Sequence, residues 1–234
     1  MRIHEYFDKI YLLNLHKRKQ RLVNSTQKLN HLGIEYDVFY GCDGYVLNHL
    51  WSKLNNGYFS NSRYLGCSIS HLSIYQDALE SGYKKILIIE DDNLIHHNIN
   101  NLFDSFEIPD FKDLIYFGYI PLSDDMVMWT YEITYDDSTK INSNFFKCRN
   151  LWGLFAYGLT SELMQETVDT YNQSFPMELD RYFVTQIQPR GGSVASVPQL
   201  FCCDDDIQSD NTGWSEHLST KSIDWRFSTR LNYI

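Results

Sequence analysis

Four aliphatic residues, Ile86-Leu87-Ile88-Ile89, run directly into Glu90-Asp91-Asp92-Asn93. A short, wholly apolar run of this kind reads as a strand buried on both faces, and such strands belong to parallel sheets covered by helices. Three carboxylates packed at the end of a buried strand repel one another unless positive charge sits among them. At the C-terminal end of a parallel strand that charge is commonly brought by a ligand or a metal. Side chains alternate along a strand, so Glu90 and Asp92 are expected on one side and Asp91 on the other. Two carboxylates on one side offer oxygens to a hard divalent cation such as Mn²⁺ or Mg²⁺. The alternative is a solvated acidic turn that caps the next segment, and the tetrad alone leaves both readings open.

The surrounding pattern places this strand third in a series. Ile10-Tyr11-Leu12-Leu13-Asn14-Leu15 reads as a first strand. A helix is expected over 18–32, from the spacing of Leu22, Thr26, Leu29 and Leu32, with Gly33 at its C-cap. Tyr36 to Tyr40 reads as a second strand, closed by the turn Gly41-Cys42-Asp43-Gly44, where Gly44 is expected to need a positive φ. A loop rich in aromatic residues (Trp51, Tyr58, Phe59) precedes a helix expected over 68–81, ended by Gly82. Strand–helix repeats in this order predict a parallel α/β sheet, with Asn14, Asp43 and the acidic tetrad at or just beyond the carboxyl ends of the strands. Further strands are expected at Leu114–Phe117, Leu154–Tyr157 and Val194–Val197. The stretch 123–150 is a hairpin or loop, and Ser161 is expected to cap a helix reaching about Asn172.

Composition narrows the function. The chain has 234 residues and a formal charge of -10, which argues against a nucleic-acid-binding surface. Its length suits one large domain or two tightly joined halves, and no linker divides it. Its five cysteines, Cys42, Cys67, Cys148, Cys202 and Cys203, include no Cys-x-x-Cys pair, a pattern of reduced thiols more than of a disulfide framework or a zinc site. Adjacent Cys202 and Cys203 are a weak candidate for a soft metal. No apolar run has the length of a membrane span and no signal peptide is evident, so a soluble, cytoplasmic protein without an integral membrane segment is expected.

Several of these segments resemble glycosyltransferase family 25, the group of bacterial lipooligosaccharide galactosyltransferases and collagen hydroxylysine galactosyltransferases. The resembling segments are Ile10 to Leu15 with Arg18 and Arg21, Asp43-Gly44, Leu65-Gly66-Cys67-Ser68-Ile69-Ser70-His71-Leu72, Ile88-Ile89-Glu90-Asp91-Asp92, Ala156-Tyr157 with Thr160-Ser161, and Met177-Glu178-Leu179-Asp180. The likeness covers roughly residues 8 to 210. It implies a GT-A type, Rossmann-like α/β fold with a mostly parallel central sheet flanked by helices. It also implies a UDP-hexose donor, galactose before glucose, a divalent cation, inversion at the anomeric carbon, and a glycan or hydroxylysine-type protein acceptor. Residues 1–110 then form the nucleotide-sugar-binding half and 111–234 the acceptor-binding half of one domain. A catalytically silent nucleotide-sugar- or glycan-binding module of the same fold is the competing expectation.

In that reading Glu90 and Asp92 are the metal-ligand candidates, Asp92 first, while Asp91, or Glu90 in place of direct ligation, acts through water or holds the ribose. Asn14, Arg18, Arg21 and Asp43 are candidates for the nucleotide, the arginines for its phosphates; a solvated helix face is the plainer account of both arginines. Ser70 and His71, expected near a helix start, are candidates for the donor phosphates or sugar, and a buried structural histidine is the alternative. Cys67 is expected in the core. Asp180 is the candidate general base, with Glu178 in reserve; an ion pair of Asp180 with Arg181, or an N-cap role, is the alternative. Asp204-Asp205-Asp206 and His217 are lesser metal or donor candidates. Trp129, Trp152 and Trp214 are candidate borders of an acceptor cleft.

Overall fold

The computed structural model describes residues 1–49, 61–121, 138–203 and 232–234. The aromatic segment around Trp51, Tyr58 and Phe59, together with Trp129, Asp204-Asp205-Asp206, Trp214 and His217, lies outside the described residues. Within them, strands β1 (Lys9–Asn14), β2 (Asp37–Tyr40), β3 (Lys85–Glu90), β4 (Asn93–Ile95), β5 (Leu114–Pro121), β6 (Phe145–Lys147), β7 (Leu151–Thr160), β8 (Val194–Ser196) and β9 (Phe201–Cys203) alternate with helices. The helices are α1 (Ile3–Tyr6), α2 (Lys19–His31), α3 (Ser62–Glu80), α4 (Ile99–Ser105), α5 (Ser161–Gln173) and α6 (Leu179–Tyr182). A seven-stranded sheet has the order β2-β1-β3-β7-β5-β8-β6, and β4 and β9 form a separate pair.

The first three strands are parallel neighbours, as the strand–helix order predicts. The mostly parallel α/β character therefore holds, with two departures among the described strands: β7 is inserted antiparallel between β3 and β5, and β6 is antiparallel at one edge. Strand β5 runs parallel to β8, and β6 closes that edge antiparallel. A strand's direction within a sheet is not encoded in its own period, so the hydrophobic pattern of β7 left it open.

Alternation along the central strands divides the core into two layers. Tyr11, Leu13, Ile86 and Ile88 face a cluster with Leu72, Tyr75, Leu163 and Met164 from α3 and α5. Ile10, Leu12, Leu87 and Ile89 face the other cluster, with Leu29 from α2 and Phe103 from α4. Burying side chains of this size contributes roughly 1.5–3 kcal/mol each relative to leaving them in water. This is why the Ile86–Ile89 run must be apolar at every position rather than at alternate ones.

The helix ends agree in part with expectation. Helix α2 ends as predicted, with Gly33 at φ 64° and the Ile34 amide bonded to the Leu29 carbonyl, the arrangement of a left-handed C-cap. Helix α5 is capped by Thr160, whose hydroxyl accepts from the Leu163 amide, rather than by Ser161, its first residue. Helix α3 starts at Ser62, capped by Asn61, and not near Ser68. Gly44 does not have a positive φ. What Gly44 supplies is room: a Cβ on Gly66 in α3 would lie 2.6 Å from Cα of Gly44. The two glycines let α3 press its backbone onto the turn after β2.

That contact yields a test of the packing. Gly66→Ala is expected to lower unfolding free energy by about 2 kcal/mol, because backbone rather than a side chain must give way. Equilibrium urea denaturation reads the change, and an unaltered midpoint would mean that the turn moves freely away from α3.

Candidate active site

Strand register assembles the site. Leu13 pairs with Glu90 across β1 and β3, and Asn14 pairs with Tyr40 across β1 and β2. The three carboxyl ends are therefore level, and Asn14 lies beside Asp91. Beyond them is a cleft enclosing about 610 Å³, part of it open to solvent, bordered by Arg21, Asp43, Ser70 and the three carboxylates Glu90, Asp91 and Asp92.

Strict alternation does not extend through the tetrad, because β3 ends at Glu90 and the next two residues form a turn. Glu90 faces α3, where its carboxylate meets Nε2 of His71 at 3.0 Å. Asp91 and Asp92 both turn toward α2: Arg21 reaches Asp91 at 3.2 Å and Asp92 at 3.4 Å. Asp91 also accepts from the Asn14 side-chain amide, and its own carbonyl accepts from Ser25 Oγ at 2.7 Å. The buried Asn93 side chain closes the turn by donating to the carbonyls of Glu90 and Phe155.

The carboxylates outnumber the charge that Arg21 brings to them. Burial pushes the Asp91 carboxyl up to about 6, against the pull of Arg21 and Asn14. Burial, then the charges of Glu90 and Asp91, push Asp92 up to about 7. Among the described residues, one oxygen of Asp92, Oδ1, is buried without a hydrogen-bond partner, and so is Oδ1 of Asn14. Buried acceptors left without a donor are costly, and a carboxylate oxygen more so than a neutral one. A hard cation satisfies both deficits at once, so the residues present fit a divalent ion, with Asp92 offering the open oxygen and Glu90 next to it.

The other candidates fall at varied distances from this centre. Asp43 caps the short 3₁₀ turn Gly44–Leu47 by accepting from the Tyr45 amide, and it pairs with Lys17 at 2.6 Å. Burial works to raise its pKa, but the Lys17 contact and the Tyr45 amide hold it below the usual carboxylate range. Arg18 flanks the start of α2 and its carbonyl accepts from Asn14, while its charge helps to keep Asp43 ionised. Ser70 and His71 lie two turns inside α3, so the free amides of a helix start are not available there. Ser70 Oγ donates to the Gly66 carbonyl and accepts from the Cys42 amide. His71 is wholly buried, and its second nitrogen, Nδ1, contacts the Tyr157 hydroxyl at 2.9 Å.

Asp180 stands on α6, which is tied to α3 by the Leu179 amide donating to Ser68 Oγ. The Asp180 carboxylate accepts from the Arg181 amide, not from its guanidinium. Burial pushes Asp180 up to about 6, and the charges of Glu178 and Glu90 add to the rise, which places it within electrostatic reach of the acidic centre. Glu178 occupies the position before α6, and its carbonyl accepts from the Tyr182 amide. Trp152 lies apart from the acidic centre, in a shallow cleft with Arg149 and Arg181.

Sequence reasoning did not single out Lys17, Tyr45 or Arg63. All three border the cleft, and both cations lie against the Tyr45 ring, at 4.6 Å for Lys17 and 5.8 Å for Arg63. The available signal was the position of Lys17 just past the end of β1, opposite the Asp43 turn.

An acid-lined cleft at the carboxyl ends of a mainly parallel sheet defines an α/β protein that binds its ligand where the strands end. The chain belongs to glycosyltransferase family 25, whose model, described as Glycosyltransferase family 25 (LPS biosynthesis protein), matches residues 7–183. Procollagen galactosyltransferase 2 of Homo sapiens is 33% identical over 103 residues, 39% of this chain and 16% of that protein. Procollagen lysyl hydroxylase and glycosyltransferase of Acanthamoeba polyphaga mimivirus is 28% identical over 173 residues, 64% of this chain and 18% of that protein. Inactive glycosyltransferase 25 family member 3 of Mus musculus is 29% identical over 129 residues, 48% of this chain and 22% of that protein. The matches thus span less than a quarter of each of these relatives. A solved glycosyltransferase involved in glycosylation of the major capsid of PBCV-1 superposes with a TM-score of 0.45 at 10% identity, covering 80% of this chain and 79% of that one. A likeness that loose carries no argument about the site.

The acidic centre makes stability depend on pH in a definite direction. The folded-state pKa of Asp92 is raised from 3.8 to about 7, so between those values the folded chain binds more protons than the unfolded chain, and stability falls as pH rises. Asp92→Asn removes that slope. In metal-free buffer the variant should nearly match the parent at pH 4 and exceed it by on the order of 4 kcal/mol at pH 8. Urea melts at the two pH values check this, and a constant difference would remove burial as the cause.

Proposed function

We propose that the chain is an active, metal-dependent, inverting hexosyltransferase that moves galactose, or failing that glucose, from a UDP-sugar to a glycan or a hydroxylysine-type acceptor. One observation carries the reading: Asp92 presents a buried carboxylate oxygen without a partner at the mouth of a cleft that three carboxylates border. The family and the names of its galactosyltransferase relatives support the sugar and the acceptor class.

The residues divide the work. Asp92 and Glu90 would hold Mn²⁺ or Mg²⁺, which offsets the charge that grows on the leaving diphosphate. Arg21 keeps Asp91 and Asp92 side by side in spite of their repulsion. Asp91 is already engaged by Asn14 and Arg21, so its part is to fix the turn and present Asp92. Lys17 and Arg63 bring positive charge to the donor side of the cleft, and Tyr45 offers a flat face for the nucleotide. Asp180 removes the proton of the acceptor hydroxyl as that oxygen attacks the anomeric carbon. A carboxylate at about 6 is ionised at neutral pH yet more basic than an ordinary aspartate, which suits a general base.

A family relative described as inactive keeps the binding-module reading open to experiment. The decisive assay is UDP release from UDP-galactose and UDP-glucose with Mn²⁺, with and without EDTA. Activity suppressed by EDTA and by Asp92→Ala supports the enzyme, whereas donor binding without release supports the module. Asp180→Asn is expected to lower turnover about 10²–10⁴-fold while calorimetry finds donor affinity unchanged. An equal loss of donor affinity would take the base role away from Asp180.

A further inference from the structure

Behind the acidic centre is a second group of ligand atoms of a different chemical kind. Cys67 and His71 are four residues apart on α3 and so lie on one face of the helix. Glu90 approaches that face from β3. The Cys67 thiol, a His71 ring nitrogen and a Glu90 oxygen all lie within 4.8 Å of one another. From these three we infer a binding site for a borderline, thiophilic divalent cation of the Zn²⁺ class, which differs in donor chemistry from the hard-cation position at Asp92 and shares only Glu90 with it.

Three features support it. The donor set of one sulfur, one nitrogen and one carboxylate oxygen suits Zn²⁺ and not Mg²⁺. The histidine is held from behind: Nδ1 contacts the Tyr157 hydroxyl, which in turn contacts the Tyr75 hydroxyl. Outer-shell bonds of this kind fix a ligating imidazole and leave its other nitrogen for the metal. Burial raises both tyrosines well above their usual pKa, so they stay protonated and act only as hydrogen-bond partners. Finally, Cys67 and Glu90 also border the cleft, whereas His71 is enclosed, so an ion has an entry path and a fourth position open to solvent or ligand.

The protons balance on binding. Take His71 as the tautomer with its proton on Nε2: the metal-free ring then donates to Glu90 and accepts at Nδ1 from the Tyr157 hydroxyl. With metal, the Nε2 lone pair binds the ion, the ring proton resides on Nδ1 and is donated to the Tyr157 oxygen, and the Tyr157 hydroxyl turns to Tyr75. On this route the ring proton only changes nitrogen, and the proton released is that of the thiol as it becomes a thiolate.

The metal-stripped full chain, titrated with Co²⁺ and Zn²⁺, tests the site without any assay of transfer. Co²⁺ should give a thiolate-to-metal absorption band in the near ultraviolet that Zn²⁺ abolishes. Cys67→Ser should remove the band, Asp92→Asn should leave it, and Tyr157→Phe should weaken Zn²⁺ binding about 10–100-fold. If Cys67→Ser does not fold, alkylation of the unaltered chain followed by peptide mapping answers the same question: Zn²⁺, but not Mg²⁺, should protect Cys67. No thiolate band from folded protein, a band that survives Cys67→Ser, or equal alkylation with and without Zn²⁺ would each overturn the proposal. Because these readouts are spectroscopic and chemical, they stand whether or not the chain transfers sugar.

Discussion

The contact on which the site depends is the bridge from Arg21 to Asp91 and Asp92. Strand β3 delivers consecutive carboxylates to one point because its apolar residues must be buried up to Ile89. Buried carboxylates cannot all be ionised without a nearby cation. Helix α2 supplies a guanidinium from one side, and the raised pKa values of Asp91 and Asp92 record that this is not enough. The remaining deficit is one that a bound cation would offset. The β1–β3 register sets Asn14 beside Asp91 and so adds to the contacts from Arg21, Ser25 and Asn93 that keep the acidic turn folded inward.

Strand β7 gives the centre its rear wall. Running antiparallel between β3 and β5, it pairs Ala156 with Ile89 and brings the Phe155 carbonyl to the Asn93 side chain. It also sends Tyr157 beneath α3, where its hydroxyl meets His71 and Tyr75. A residue from the second half of the chain thus steadies a histidine from the first, and that histidine steadies Glu90. The acidic centre is in this way continuous with the packed core rather than perched on a loop. Helix α6, joined to α3 through Ser68, brings Asp180 within electrostatic reach of the same carboxylates.

The backbone contact between Gly44 and Gly66 does comparable work at the Asp43 edge of the cleft. It seats the Asp43 turn against α3, so that Asp43, Lys17 and Tyr45 border the cleft together. Ser70 reinforces the same junction by accepting from the Cys42 amide. Its place in the fold is therefore that of a tie between two elements, in mid-helix, where no unpaired amide is available to an anion.

The sequence by itself determined the central strands, the α/β class and the acidic strand end. Hydrophobic period and turn residues are local signals, and Ile86–Ile89 and Gly33 have only one comfortable use each. The family was legible in the same way, from short motifs around Asn14, Asp43, Cys67 to His71 and Glu90 to Asp92. Only the tertiary structure decided the direction of β7, the true start of α3 at Ser62, the turning of Asp92 toward Arg21, and the meeting of Cys67, His71 and Glu90. Apart from the start of α3, which the neighbouring Asn61 caps, these are contacts between segments tens of residues apart. They are fixed by which surfaces bury against which, and no periodicity within a single segment records that choice.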